Sequence, residues 1–223
     1  MIDCVCLSFH YFMSAGFPGT VVELDPQSQE YEYVQEKFNK RWTPELLPGP
    51  CRAIRSILLV VNPALSKEFE EYRRALPSKY QEAMKYFHGT TLNCEIMTYL
   101  ELCNNESCGV CAIVKNGVNP HYTLRVNRSQ FGLGIHVAYH SSRVADYPIS
   151  KRPGRYCAMF LCLVAPGKTY KLEQDEPNPR SPPSGYHSVC RRRRGILTSH
   201  AREYVLYNSS AICPQYVIIY DAQ

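Results

Sequence analysis

Four cysteines, Cys94, Cys103, Cys108 and Cys111, follow one another as C-x8-C-x4-C-x2-C, and the closing "CGVC" supplies the tight turn that a tetrahedral zinc site favours. Four thiolates with no open coordination position would make a structural centre, not a catalytic one. Disulfides and free thiols are the alternatives that the spacing leaves open. Around these cysteines lie four short polar clusters, in order "FHGT" at 87–90, "GLGIHVAYHSSRVADY" at 132–147, "GYHSV" at 185–189 and "EYVLYN" at 203–208. They offer an imidazole (His88), an aromatic ring (Tyr147) and a carboxylate (Glu203). A carboxylate can stabilise positive charge developing on a sugar and polarise a hydroxyl, while an aromatic ring can clamp a flat leaving group. Taken singly, each residue has a plainer reading: a turn histidine, a packing tyrosine, a solvated glutamate at a strand start.

The elements that must position these groups divide into two textures. Helical spacing runs through "SQEYEYVQEKFNKRW", with Tyr31, Val34 and Phe38 on one face, and ends before Pro44. "CRAIRSILLVV" is β-branched and aliphatic and predicts a strand, stopped by Asn62-Pro63. "SKEFEEYRRALPSKYQEAMKYF" carries Phe69, Tyr72 and Leu76 at helical intervals, with Ser66 as the expected N-cap and Pro77 as the expected end or kink. From Phe87 onward, "YTLRV", "GIHVAY", "YCAMFLCLVA", "TYKL", "EYVLYN" and "QYVIIYD" predict short strands separated by Gly, Pro and Asn. Ten- to fifteen-residue helices do not alternate with them, so a doubly wound parallel sheet is disfavoured. The reading is α+β, with helices mostly in the N-terminal part and a mainly antiparallel sheet after them.

With 223 residues, 45% of them hydrophobic, the chain can bury a full core as one domain. A net charge of +5 is too small to imply DNA binding, and the one basic block, Arg191 to Arg194, reads as a solvated loop. No apolar run approaches the roughly 20 residues of a membrane helix. The N-terminus has an apolar middle but no basic start, which argues against a signal peptide and for an intracellular, cytoplasmic or nuclear, address. Eleven cysteines are an odd count, and a chain of this length needs no disulfide scaffold. Cys157 and Cys162, inside an apolar run, read as small buried side chains.

In their order and spacing, the four clusters resemble the catalytic domain of the poly(ADP-ribose) polymerase family, the diphtheria-toxin-like ADP-ribosyltransferases. "AIRSILLVVNPALSKEFEEY" is similar to the strand, Asn-Pro and helix that precede the His-Gly turn in many members. The resemblance covers residues 30–223, with 1–29 as an extension and a Cys-rich insertion at 94–111 of a kind that fungal members of the family carry. It implies the ADP-ribosyltransferase fold and mono-ADP-ribosylation, with NAD as co-substrate and nicotinamide as the leaving group. It also implies catalytic roles for Glu203, His88 and Tyr147. Gly89 would hold the nicotinamide carboxamide, His88 the adenine-proximal ribose and Tyr147 the nicotinamide ring. Thr90, His136, Ser142 and Arg128 complete the expected donor set, and Arg125 and Arg128 would face the pyrophosphate. The acceptor would be a protein, with nucleic acid as a possibility opened by the arginine block, and the chain would act as a monomer.

Three departures bear on activity. His136 stands in "GIHVA" where the family has a tyrosine, and Val144 takes the place of the serine whose hydroxyl reaches the carboxamide. Losing that hydroxyl would cost about 1–3 kcal/mol if it leaves an amide unpaired, with Ser141 or Ser142 as substitutes. His187 occupies the usually acidic position of "GYDSV" and is expected to support the pocket wall. These departures keep open a second reading, a catalytically silent NAD- or ADP-ribose-binding or zinc-stabilised interaction module on the same fold.

Overall fold

A computed structural model describes residues 19–120, 134–145, 156–172, 181–192 and 202–222. Its elements run in the order β1 (Thr20–Glu23), α1 (Gln29–Lys40), β2 (Ile54–Val61), α2 (Pro63–Ala75), β3 (Met84–Thr90), α3 (Ile96–Tyr99), α4 (Gly109–Asn116), β4 (Ile135–Ala138), α5 (Ser141–Ala145), β5 (Tyr156–Val164), β6 (Thr169–Leu172), β7 (Ser188–Arg192), β8 (Arg202–Leu206) and β9 (Ile212–Asp221). The strands form one sheet in the order β1-β2-β9-β5-β3-β4-β8-β7-β6. Only β6 and β7 pair in parallel; all other described pairs are antiparallel. This is the α+β arrangement that the late strand-rich sequence implies.

The centre of the sheet is apolar on both faces because both are covered. Along β5, Ala158, Phe160 and Cys162 join a cluster with Val110, Cys111, Ile113 and Val114 of α4. Cys157, Met159 and Leu161 alternate to the other face, toward Val34 and Phe38 of α1 and Val144 of α5. The period of two along the strand therefore feeds two helical layers. Cys157 and Cys162 are the small buried side chains that their setting predicts.

Several local readings change. "FHGT" is the end of strand β3 and not a turn, because every residue from Met84 to Thr90 finds a register partner on β5. The second helix begins at Pro63: Asn62 Oδ1 accepts the Leu65 N–H and proline sits favourably in the first turn. Ser66 lies inside the helix instead, its hydroxyl donating back to the Asn62 carbonyl. Thr20–Glu23, within the stretch read as an extension, pairs with β2 as an edge strand. Arg191 and Arg192 belong to β7 and not to a loop. Arg193, Arg194, "YTLRV", Arg125, Arg128 and Tyr147 lie outside the described residues. No helix among the described residues is long and apolar enough to cross a membrane.

Asn62 also ties two helices together. While its oxygen caps α2, its Nδ2 donates to the Val114 and Lys115 carbonyls near the end of α4, at 2.9 and 3.2 Å. A helix end needs such partners for its last carbonyls. Asn62→Ala loses both services and should destabilise the fold by about 2 kcal/mol or more in denaturant unfolding. Asn62→Ser, which keeps a capping oxygen and loses the amide that reaches α4, should fall between that variant and the parent.

Candidate functional site

The site is built where three neighbouring strands carry the polar clusters side by side. Phe87 on β3 pairs with Ala138 on β4, and Ala138 pairs in turn with Glu203 on β8. With neighbouring strands about 4.8 Å apart, the Glu203 backbone lies roughly 10 Å from that of Phe87, next to His88. Residues 116 positions apart in sequence, Phe87 and Glu203, thus share one rung of the sheet.

Phe87 and Ala138 are the sole register pair between β3 and β4. Just past it, a side chain takes over from the ladder: His88 Nδ1 lies 2.8 Å from the His136 carbonyl oxygen. A carbonyl only accepts, so Nδ1 carries the proton, and the neutral ring is left with Nε2 as an acceptor. Burial among apolar neighbours pushes the His88 imidazole down to about 4, opposed by the bond to His136. The ring keeps some exposure to solvent.

Glu203 is almost enclosed, with 13% of its side chain exposed, and its Oε1 pairs with Nε of Arg143, itself 17% exposed. Its other oxygen, Oε2, is buried and has no hydrogen-bond partner among the described residues. Buried carboxylate oxygens are normally satisfied, so this one has capacity to accept a further donor.

Arg143 reaches Glu203 because α5 is docked firmly. The Ser141 hydroxyl donates to the Phe38 carbonyl at 2.7 Å and its N–H to the Arg41 carbonyl at 3.1 Å, both at the C-terminal end of α1. Arg41 in turn donates from Nη1 to the Lys85 carbonyl and lies over the Tyr139 ring at 4.0 Å. Ser142 Oγ accepts the Thr43 N–H at 3.1 Å and lies 3.2 Å from the Thr43 hydroxyl. Both serines are fully buried and bonded within the protein. Val144 is fully buried too, packed in the cluster that contains Phe87 and Ala138.

Of the other expected site residues, Gly89 and Thr90 follow His88 on β3, buried and opposite Met159 and Ala158. His136 sits on β4 opposite Val205. His187 Nδ1 accepts the Lys168 N–H at 3.0 Å while its own N–H donates to the Lys168 carbonyl, so it fastens one edge of the sheet. Arg143 is the residue that sequence reasoning passed over. It lies 60 positions from Glu203, and its partner appears only when β4 and β8 are paired.

The four cysteines also converge. Their sulfurs all lie within 4.8 Å of one another, with Cys94 to Cys111 at 3.6 Å and Cys108 to Cys94 at 3.5 Å. These separations are far beyond a disulfide bond of about 2.05 Å. They are near the edge of about 3.8 Å expected of a tetrahedron with Zn–S arms of about 2.3 Å.

Two measurements check the geometry. Because the unfolded chain binds the His88 proton near pH 6.5 and the folded one only near 4, stability present above pH 6.5 should be lost as pH falls toward 4. The loss should be on the order of 2–3 kcal/mol and much smaller in His88→Gln. Separately, Arg143→Gln and Glu203→Gln should show a coupling of about 1–3 kcal/mol in a double-mutant cycle on unfolding free energy. Additive effects would mean that the pair contributes nothing.

Comparison with known proteins agrees with this geometry. The family model of the poly(ADP-ribose) polymerase catalytic domain matches residues 28–201, most of the chain, and stops two residues before Glu203. The chain is 28% identical over 173 residues to the human protein mono-ADP-ribosyltransferase PARP3, an alignment covering 76% of this chain and 27% of that protein. The chicken protein of the same name is 45% identical over 84 residues, covering 36% of this chain and 14% of that one. The mouse protein is 38% identical over 87 residues, covering 37% and 15%. The chain thus spans at most about a quarter of the length of these relatives. With the sheet, the His-Gly strand and the family match in agreement, the chain belongs to the poly(ADP-ribose) polymerase catalytic-domain family.

Proposed function

We propose that this chain transfers single ADP-ribose units from NAD to a protein nucleophile inside the cell and releases nicotinamide, with a structural zinc ion on Cys94, Cys103, Cys108 and Cys111 that takes no part in the transfer. The observation that carries the reading is the half-satisfied carboxylate of Glu203, with Oε1 on Arg143 and Oε2 buried without a donor among the described residues. A ribose hydroxyl is a donor of the required kind. Held there, it is polarised by the carboxylate while the sugar carbon losing nicotinamide gains oxocarbenium character, which the same negative charge stabilises.

The remaining roles follow the positions on the sheet. The proton-free Nε2 of His88 accepts a hydroxyl of the other ribose. The Gly89 backbone meets the carboxamide, flanked by Thr90 and His136, and Tyr147 stacks on the ring. Arg128 faces the pyrophosphate. Since the Ser142 hydroxyl is engaged by Thr43 and Val144 offers none, the carboxamide has one donor fewer than the family pattern supplies. Weaker nicotinamide binding follows, and this keeps the silent-module reading as the alternative. The domain extends upstream of residue 30 to include the β1 edge strand. The human, chicken and mouse relatives, each named a protein mono-ADP-ribosyltransferase, support single-unit transfer to protein.

Nicotinamide release from NAD by the purified protein tests the assignment. Release should exceed background and fall by about 10²–10³ in Glu203→Gln, as when a group stabilising transition-state charge is removed. Equal background rates from both proteins would establish the silent module instead.

A further inference from the structure

We infer that the four-cysteine centre is a zinc clamp on the donor strand: the ion fixes the end of β3 that carries His88, Gly89 and Thr90, so that affinity for NAD depends on the metal. This deepens the zinc assignment and rests on it and on the donor-site reading.

The ligands come from separate pieces of chain, which are also joined by Asn93, whose Nδ2 donates to the Ser107 carbonyl at 2.8 Å. Cys94 follows β3, Cys103 lies beyond the four-residue helix α3, Cys108 is the residue before α4, and Cys111 is in its first turn. Between β3 and α4 that short helix is the only regular element, and it ends at Leu100 in the left-handed region, with φ of 55°. A connection of this length with so little secondary structure needs a staple. Thiolate donors select zinc among the abundant divalent ions. The Cys103 N–H donates to the Cys111 sulfur at 3.3 Å, and the Lys115 ammonium donates to the Cys103 carbonyl and to Asn104 Oδ1, both at 2.8 Å. A cation so placed offsets part of the two negative charges that a zinc ion with four thiolates carries.

The coupling to β3 is direct. Gly109, inside the "CGVC" turn, donates its N–H to Thr91 Oγ1 at 2.8 Å, and the Thr91 hydroxyl donates to the Ser107 carbonyl at 2.7 Å. The Val110 N–H donates to the Thr91 carbonyl at 3.0 Å. A Cβ on Gly109 would collide with Thr90 Oγ1, so the metal turn is seated against the donor strand itself. Thr90 and Thr91 are buried at this junction. From a zinc ligand to His88 the path is therefore Cys108, Gly109, Thr90 and Gly89, each step covalent or in contact.

The experiment compares the protein as purified with protein stripped by a chelator, together with Thr91→Val, which removes both hydroxyl bonds of Thr91 and keeps the Val110 backbone bond and every thiol. Metal analysis should find one zinc per chain in parent and in Thr91→Val. Hydrogen exchange over residues 87–91 should speed up on stripping, and affinity for a non-hydrolysable NAD analogue should fall about 5- to 100-fold, with an intermediate loss in Thr91→Val. Absence of zinc overturns the clamp. One zinc per chain, with exchange and analogue affinity unchanged on stripping and in Thr91→Val, also overturns the clamp while leaving a structural zinc. If the holo-protein fails to bind the analogue, the donor-site reading falls with the clamp's claim on NAD, whereas the exchange data still report whether zinc fixes β3.

Discussion

A carboxylate enclosed by protein, with one oxygen paired and the other without a donor among the described residues, is the constraint around which this molecule is arranged. Removing an ionised carboxylate from water costs several kcal/mol unless it is paired and hydrogen-bonded. Arg143 answers half of that demand. The rest of the structure keeps Arg143 in place: the buried hydroxyls of Ser141 and Ser142 fix α5 against the end of α1, and Arg41 links that junction back to β3. Site and core are one network, since Val144 on the same short helix packs against Phe87, the residue that joins β3 to β4.

That join is narrow among the described residues. A single register pair, followed by a histidine side chain on the His136 carbonyl, holds the strands together while fixing an imidazole in its neutral form. Burial sets the protonation state and the carbonyl sets the tautomer. Nε2 is thereby left as an acceptor, and the charge of nearby His136 adds a smaller push in the same direction as burial.

Much of this was legible in the sequence, and the parts that were not have physical reasons. The α1 face showed itself through Val34 and Phe38 at helical spacing, and β5 through its unbroken apolar run, since burial acts on side chains in ways that periodicity records. The order of the polar clusters carried the fold class and the family. Missed were features created by pairing over distance. "FHGT" looks like a turn until β5 supplies a partner for each residue, and nothing singles out Arg143 until β8 brings Glu203 beside it. Asn62, read as a strand stop, became the cap of α2 because its oxygen and its amide nitrogen serve two helices at once. The cysteine spacing offered zinc, disulfides or free thiols, and the fold brings the four sulfurs together, whereas the seating of their turn on Thr90 and Thr91 depends on contacts that spacing does not record.

The role proposed for Glu203 requires that its Oε2 accept a hydroxyl of the ribose that loses its base. A crystal structure with a non-hydrolysable NAD analogue addresses it most directly. The account predicts that hydroxyl within about 2.5–3.0 Å of Oε2, with the Arg143 pair intact and His88 still on the His136 carbonyl. An analogue seated with its nicotinamide riboside away from Glu203, and Oε2 bonded only to water or protein, would contradict it.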